Sequence, residues 1–167
     1  MAMSMDSGAA ARRAPASGAG LSASPRVLAW ARAAQREGRL LTAMAFYRQG
    51  LAQAFGALHA SVPAEACAAM DGLVACSDGL AALNEAQGRP DMAAEVLGEL
   101  HRTLLRLVCS PDACTQRRQA ALWHSHASHS ALMALAQAHG WSPAIDAAVR
   151  AGCLGWRVRG GPAGTPH

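Results

Sequence analysis

Residues 64–109, AEACAAMDGLVACSDGLAALNEAQGRPDMAAEVLGELHRTLLRLVC, decide the fold. Their apolar positions recur three and four apart. The first half carries Ala66, Met70, Leu73, Val74, Leu80, Ala81 and Leu83. The second carries Met92, Ala93, Val96, Leu97, Leu100, Leu104, Leu105, Leu107 and Val108. That period belongs to amphipathic helices. Glu65, Asp71, Asp78 and Glu85 recur about seven apart, so they share a polar stripe opposite the apolar one. Pro63 suits a first helical turn, where its missing N–H has no partner to lose. Gly88 suits the left-handed residue that closes a helix, and Pro90 starts the next. Asp91, Glu95 and Glu99 precede Arg102 and Arg106, the order that the helix dipole favours. The stretch predicts two long helices folded back on each other through Gly88-Arg89-Pro90.

The same signals continue outward. Ser24-Pro25 starts a helix that runs to Glu37, with Val27, Leu28, Trp30, Ala31 and Ala34 inside. Gly38-Arg39 turns it into a second helix from about Leu40 to His59, whose apolar set is Leu41, Met44, Phe46, Tyr47, Leu51, Phe55 and Leu58. On the other side, Ser110-Pro111-Asp112 starts a helix from about Cys114 to His139, closed by Gly140. Leu122, His126, His129, Leu132, Met133 and Ala136 form one of its faces. Ser142-Pro143 starts a short helix over residues 144–151, ended by Gly152. The expected domain is residues 24–152. Residues 1–23, of low complexity, predict a disordered tail, and the Gly/Pro-rich residues 153–167 a flexible one.

Composition agrees with an all-α domain. The 167 residues are 51% hydrophobic but only 4% aromatic, and isoleucine occurs once, at Ile145. Alanine-rich helices approach toward the short end of the ~8–10 Å interaxial range. The formal net charge is +4, with arginine supplying every cation but histidine. Charge is uneven: residues 65–99 are acidic apart from Arg89, and the flanks are basic. Basic flanks can attract nucleic acid. Here they are not interleaved with aromatic residues, and no nucleic-acid partner is expected. The longest uncharged run, residues 119–145, holds four histidines and several serines, so no membrane segment is expected. Five scattered cysteines, an odd count, predict free and mostly buried thiols in a cytoplasmic chain.

The first two hairpins resemble a tetratricopeptide repeat. With Gly38 as the turn glycine of that motif, Trp30-Ala31 is its large-small pair, and Ala43, Tyr47 and Gly50 are the small, aromatic and small sites of its second helix. With Gly88 as the turn glycine, Leu80-Ala81 is the pair, and Ala93 and Leu97 follow; Leu100 stands where the motif has a small residue. Gly140 repeats the turn, with Leu132-Met133 before it and Ile145 at the small site. The two first glycines lie fifty positions apart, against the motif's repeat of about 34. Longer helices are therefore expected. The resemblance implies a right-handed array of stacked antiparallel helix hairpins, about six helices in all, whose last pair acts as a terminal cap.

It also implies a site. First helices of the family line the surface that binds a peptide. Carried over, that surface presents Leu28, Arg32, Gln35 and Arg36, then Asp78, Ala82 and Glu85, then Ser130, Ala134 and Gln137. The expected function is a non-enzymatic adaptor that holds a protein or peptide, with homo-oligomers conceivable and no cofactor. A secretion-type chaperone is one alternative. The other is a small thiol or metal protein using Cys109, Cys114, His126 and His129, although His124 and His126 point about 200° apart on a helix. No phosphate-binding loop is present: Gly160-Gly161 has neither a strand before it nor a lysine after it.

Overall fold

The computed structural model describes residues 25–58 and 63–157. All regular structure among them is helical: α1 (Pro25–Arg36), α2 (Leu40–Ala57), α3 (Pro63–Ala86), α4 (Pro90–Cys109), α5 (Thr115–His139) and α6 (Pro143–Arg157). The expected N-terminal tail and residues 158–167 lie outside the described residues.

Three glycines turn the hairpins. Gly38, Gly88 and Gly140 have φ of 73°, 68° and 82°, a region where a side chain is strained. The first two turns close alike. The N–H of Arg39 donates to the Ala34 carbonyl at 2.8 Å, and that of Arg89 to the Asn84 carbonyl at 2.9 Å, the six-to-one bond that ties off a helix end. Each arginine also reaches back two residues, Arg39 to Glu37 and Arg89 to Gln87. Gly152 closes nothing: α6 continues through it to Arg157. One glycine inside a helix costs only about 1 kcal/mol.

The helices form a layered array. α3 lies against α1, α2, α4 and α5, while α4 packs on α5 and α6. The apolar stripes meet in three clusters. One joins Ala31, Ala34, Ala43, Met44 and Tyr47 to Cys76, Leu80 and Leu83 of α3. A second joins Ala54, Ala57 and Leu58 to Met70, Leu73, Leu100, Leu104 and Ala121. The third joins Ala81, Ala93 and Leu97 to Leu132, Leu135, Ile145 and Ala148. Each fully buried Leu contributes about 1.5–3 kcal/mol of hydrophobic stabilisation relative to an exposed one. The last pair departs from the first two, since α6 packs more on α4 than on its own hairpin partner α5. Gly98 admits it: a Cβ there would stand 2.8 Å from that of Ala148.

Several expected core positions face out. Leu41 is 83% exposed, because it stands about 200° around α2 from buried Ala43. Trp30 is 52% exposed and leans on Phe46, with ring centroids 5.7 Å apart. Its counterpart Leu80 is covered because α2 lies beside α3, whereas Trp30 is on the end helix of the array. Met92 is also exposed. On α5 the buried stripe is Ala121, Ser125, Ser128, Leu132, Leu135 and Ala136, one step around from the expected histidine face. The thiols of Cys67, Cys76, Cys109 and Cys114 are free, but Cys76 alone of these is buried and Cys114 is exposed. A short chain leaving α4 carries Cys114 into solvent, where Arg118 donates to the Ser110 and Ala113 carbonyls at 3.2 and 3.1 Å.

Candidate functional site

α1, α3 and α5 form one face of the array, because α3 touches both neighbours on that side. Between α3 and α5 runs a trough of about 400 Å³. Asp78, Ala82 and Glu85 line one wall, Ala131, Ala134 and Ala138 the other, and Ala81, Ala93, Leu97 and Leu135 the floor. Short alanine side chains are what leave it open. A second hollow of about 490 Å³ lies on α1, lined by Ala29, Arg32, Gln35 and Arg36.

Tyr47 lies beneath this face, between α1 and α3. It comes from α2, and its ring covers Gly79 of α3, where a Cβ would stand 2.3 Å from the ring carbon Cζ. Its hydroxyl donates to Gln35 Oε1 at 2.7 Å. Burial raises the pKa of the Tyr47 phenol, and the nearby Arg32 guanidinium opposes the rise. The same two influences, in the same order, act on the Cys76 thiol. Gln35 on α1 and Gly79 on α3 are thus linked through the Tyr47 phenol.

The acidic stripe of α3 is exposed to solvent, and two of its carboxylates also reach α5. His124 Nε2 lies 3.0 Å from Asp71, and His139 Nε2 lies 2.9 Å from Glu85. These pairs bracket the trough. Asp78, midway between, makes no ion pair among the described residues. Its side chain reaches solvent, yet the packing around its carboxyl raises its pKa, against the pull of His124.

Of the expected site residues, the trough brings together Asp78, Ala82, Glu85 and Ala134. The α1 hollow brings together Arg32, Gln35 and Arg36. Leu28 is half-buried against the first cluster. Ser130 is exposed and is not among the residues lining the trough; its hydroxyl is given to the His126 carbonyl at 3.0 Å. Gln137 is exposed and is not among the residues lining the trough.

The histidines are distributed instead of gathered. His124 pairs with Asp71, His126 is exposed, and His129 lies over His101, with centroids 5.7 Å apart. Among the described residues no group of three or more His, Cys, Asp or Glu side chains could hold a metal ion. His101 was invisible as a feature in the sequence. It is buried in α4, and its Nδ1 is 2.8 Å from Ser128 Oγ. Ser128 gives its own proton to the Ser125 carbonyl at 3.0 Å, so Nδ1–H of His101 is the donor to Ser128. Desolvation lowers the His101 pKa, as does His129 beside it. The one signal for this chain of bonds was Ser125 and Ser128 three apart on a helix, too common a pattern to single out.

An all-helical array of stacked hairpins with an open face is thus the class of protein that the fold defines. Within that class, the chain belongs to the family described as a protein of unknown function, DUF2753, whose model matches residues 26–156. No curated protein and no solved structure matches it.

Proposed function

We propose that the chain is a non-enzymatic, tetratricopeptide-like module that holds a segment of another protein across α1, α3 and α5. The observation that carries this reading is the alanine-walled trough between α3 and α5, with a second hollow on the neighbouring α1. A shallow apolar channel with a few charged residues along it suits a polypeptide better than a compact metabolite, which needs an enclosing pocket. The repeat resemblance is supported by the matching turns at Gly38 and Gly88 and by buried Ala31, Ala43, Ala81 and Ala93. Trp123, 76% exposed, stands four and eleven positions before Ala127 and Ala134, so it shares their strip on α5 and offers an aromatic anchor beside the trough.

α3 is long and apolar enough to cross a membrane, with half of its most apolar window buried in the array. Asp71, Asp78 and Glu85 on its open side favour water there, in keeping with a cytoplasmic module.

The test is obstruction. Ala82→Trp and Ala134→Trp each place an indole in the trough from an exposed position. Wild type should retain a defined protein from the native cell, and both variants should lose it while keeping wild-type helicity. Equal recovery by wild type and the obstructed variants would remove the trough from the function.

A further inference from the structure

We infer that the bound segment is charge-ordered, with an acidic side chain over α1 and a basic one over the α3–α5 trough, so that it lies in one direction only. This deepens the reading of the face as a peptide-binding surface and rests on it. The two hollows have opposite charge. Both charged residues lining the α1 hollow, Arg32 and Arg36, are cations. Both lining the trough, Asp78 and Glu85, are acids. Some surface charges elsewhere are paired locally, Arg39 with Glu37, Arg102 and Arg106 with Glu99, Arg150 with Asp146, while others, such as Arg48 and Glu95, make no ion pair among the described residues. Arg32, Arg36 and Asp78 make no ion pair among the described residues, and Glu85 is engaged with His139 alone.

Geometry adds a spacing. α1 and α3 are packed neighbours, and packed helix axes lie about 8–10 Å apart. An extended chain covers that distance in about three residues at ~3.3 Å each. The segment therefore carries its acid about three or four positions from its base. Small residues between them fit the tightly packed crossing, where the Tyr47 ring already fills the space over Gly79. On the trough side the stem of an arginine or lysine lies along the alanine walls while its head reaches Asp78. Partial burial of the Asp78 carboxyl means that an arriving cation replaces solvation already lost.

The probe is a library of random peptides displayed on phage, selected against the wild-type chain, Asp78→Arg, and Arg32→Glu/Arg36→Glu. Wild type should enrich peptides in which acid and base recur in one order at that spacing. A synthetic peptide from that set should bind roughly tenfold more weakly to each charge-reversed variant, the scale of about 1.4 kcal/mol. Asp78→Asn, which removes the charge with little change of shape, should give a smaller loss in the same direction. Enrichment without charge order, or affinities that ignore all three variants, would overturn the inference and leave the peptide-binding reading standing. Failure of any peptide to enrich would remove both. A concentration-dependent mass in sedimentation that Asp78→Arg abolishes would seat a second copy of this chain on the face, and would overturn the assignment to a separate partner.

Discussion

Where α3 meets α1 and α2, a tyrosine lies on a glycine; where α4 meets α5, a histidine bonds a serine. The first seam is set by shape. Tyr47 fills the space that Gly79 leaves, with Met44, Leu80 and Leu83 around it, and its polar end emerges at Gln35. The second seam carries comparable apolar packing through Leu97, Leu132 and Leu135, but threads it with the buried chain His101–Ser128–Ser125. A buried hydrogen bond is worth only about 1 kcal/mol net, whereas leaving its partner unmet costs about 1–3 kcal/mol. The second seam therefore gains in register more than in strength, and it holds a buried imidazole, His101, at its centre.

The comparison breaks most readily at the apolar part that both seams share. Leu83→Ala in the first and Leu132→Ala in the second, each fully buried, should cost about 2–5 kcal/mol. Both should lower one common thermal transition, because α3 and α4 belong to all three clusters between them. Calorimetry of the two variants checks it. A second transition in Leu132→Ala alone would mean that the α5–α6 end melts separately, as repeat arrays permit.

The shared apolar frame is also the part that was legible in sequence. Gly38, Gly88 and Gly140 marked the corners because only a positive φ closes those turns cheaply. Three-and-four spacing marked the central helices because their stripes meet neighbours on several sides. Sequence pattern misplaces residues whose burial depends on what lies outside their helix. Trp30 and Leu41 look like core residues in their own helices, but no described helix covers them. On α5 the pattern put His126 and His129 inwards, yet the tight approach to α4 selected the smaller Ser125 and Ser128, one position off. The site divided along the same line. Alanines and charges carried over by repeat position converged in the trough, because register along α1 and α3 is fixed by the turns. Ser130, four residues before Ala134 on α5, is not part of the trough lining, and its hydroxyl is satisfied by its own helix.

A sharper difference follows at Gly79. Gly79→Val should overpack the first seam and cost about 1–3 kcal/mol or more, since Tyr47 is held by Gln35 and has little room to withdraw. Tyr47→Leu should recover part of that loss in the double variant, and the non-additivity measures how much of the seam is this one contact. Urea unfolding of the four proteins checks it. Additive losses would mean that Tyr47 moves aside freely, and the first seam would then not be specified by shape.

The smallest effect tests the polar seam by pH. His101 has a lowered pKa in the fold, from burial first and then from His129, with His126 also contributing. Below the unfolded value of about 6.5 the unfolded chain binds the proton that the folded chain refuses. Stability is thus fully present above that value and declines as pH falls through it toward the lowered folded value. Asp78 acts in the opposite sense and lower on the scale: its pKa is raised in the fold, so protonation there favours the folded state as pH approaches the carboxylate range. Denaturation midpoints should fall for wild type as pH is lowered from above about 6.5 through the His101 window, before the carboxylate range is reached. His101→Asn keeps a donor near the Nδ1 position for Ser128 and removes the titration, so its midpoint should lose most of this dependence. An unchanged slope would remove His101 as the source of the acid sensitivity, and the two seams would then differ in geometry but not in their response to protons.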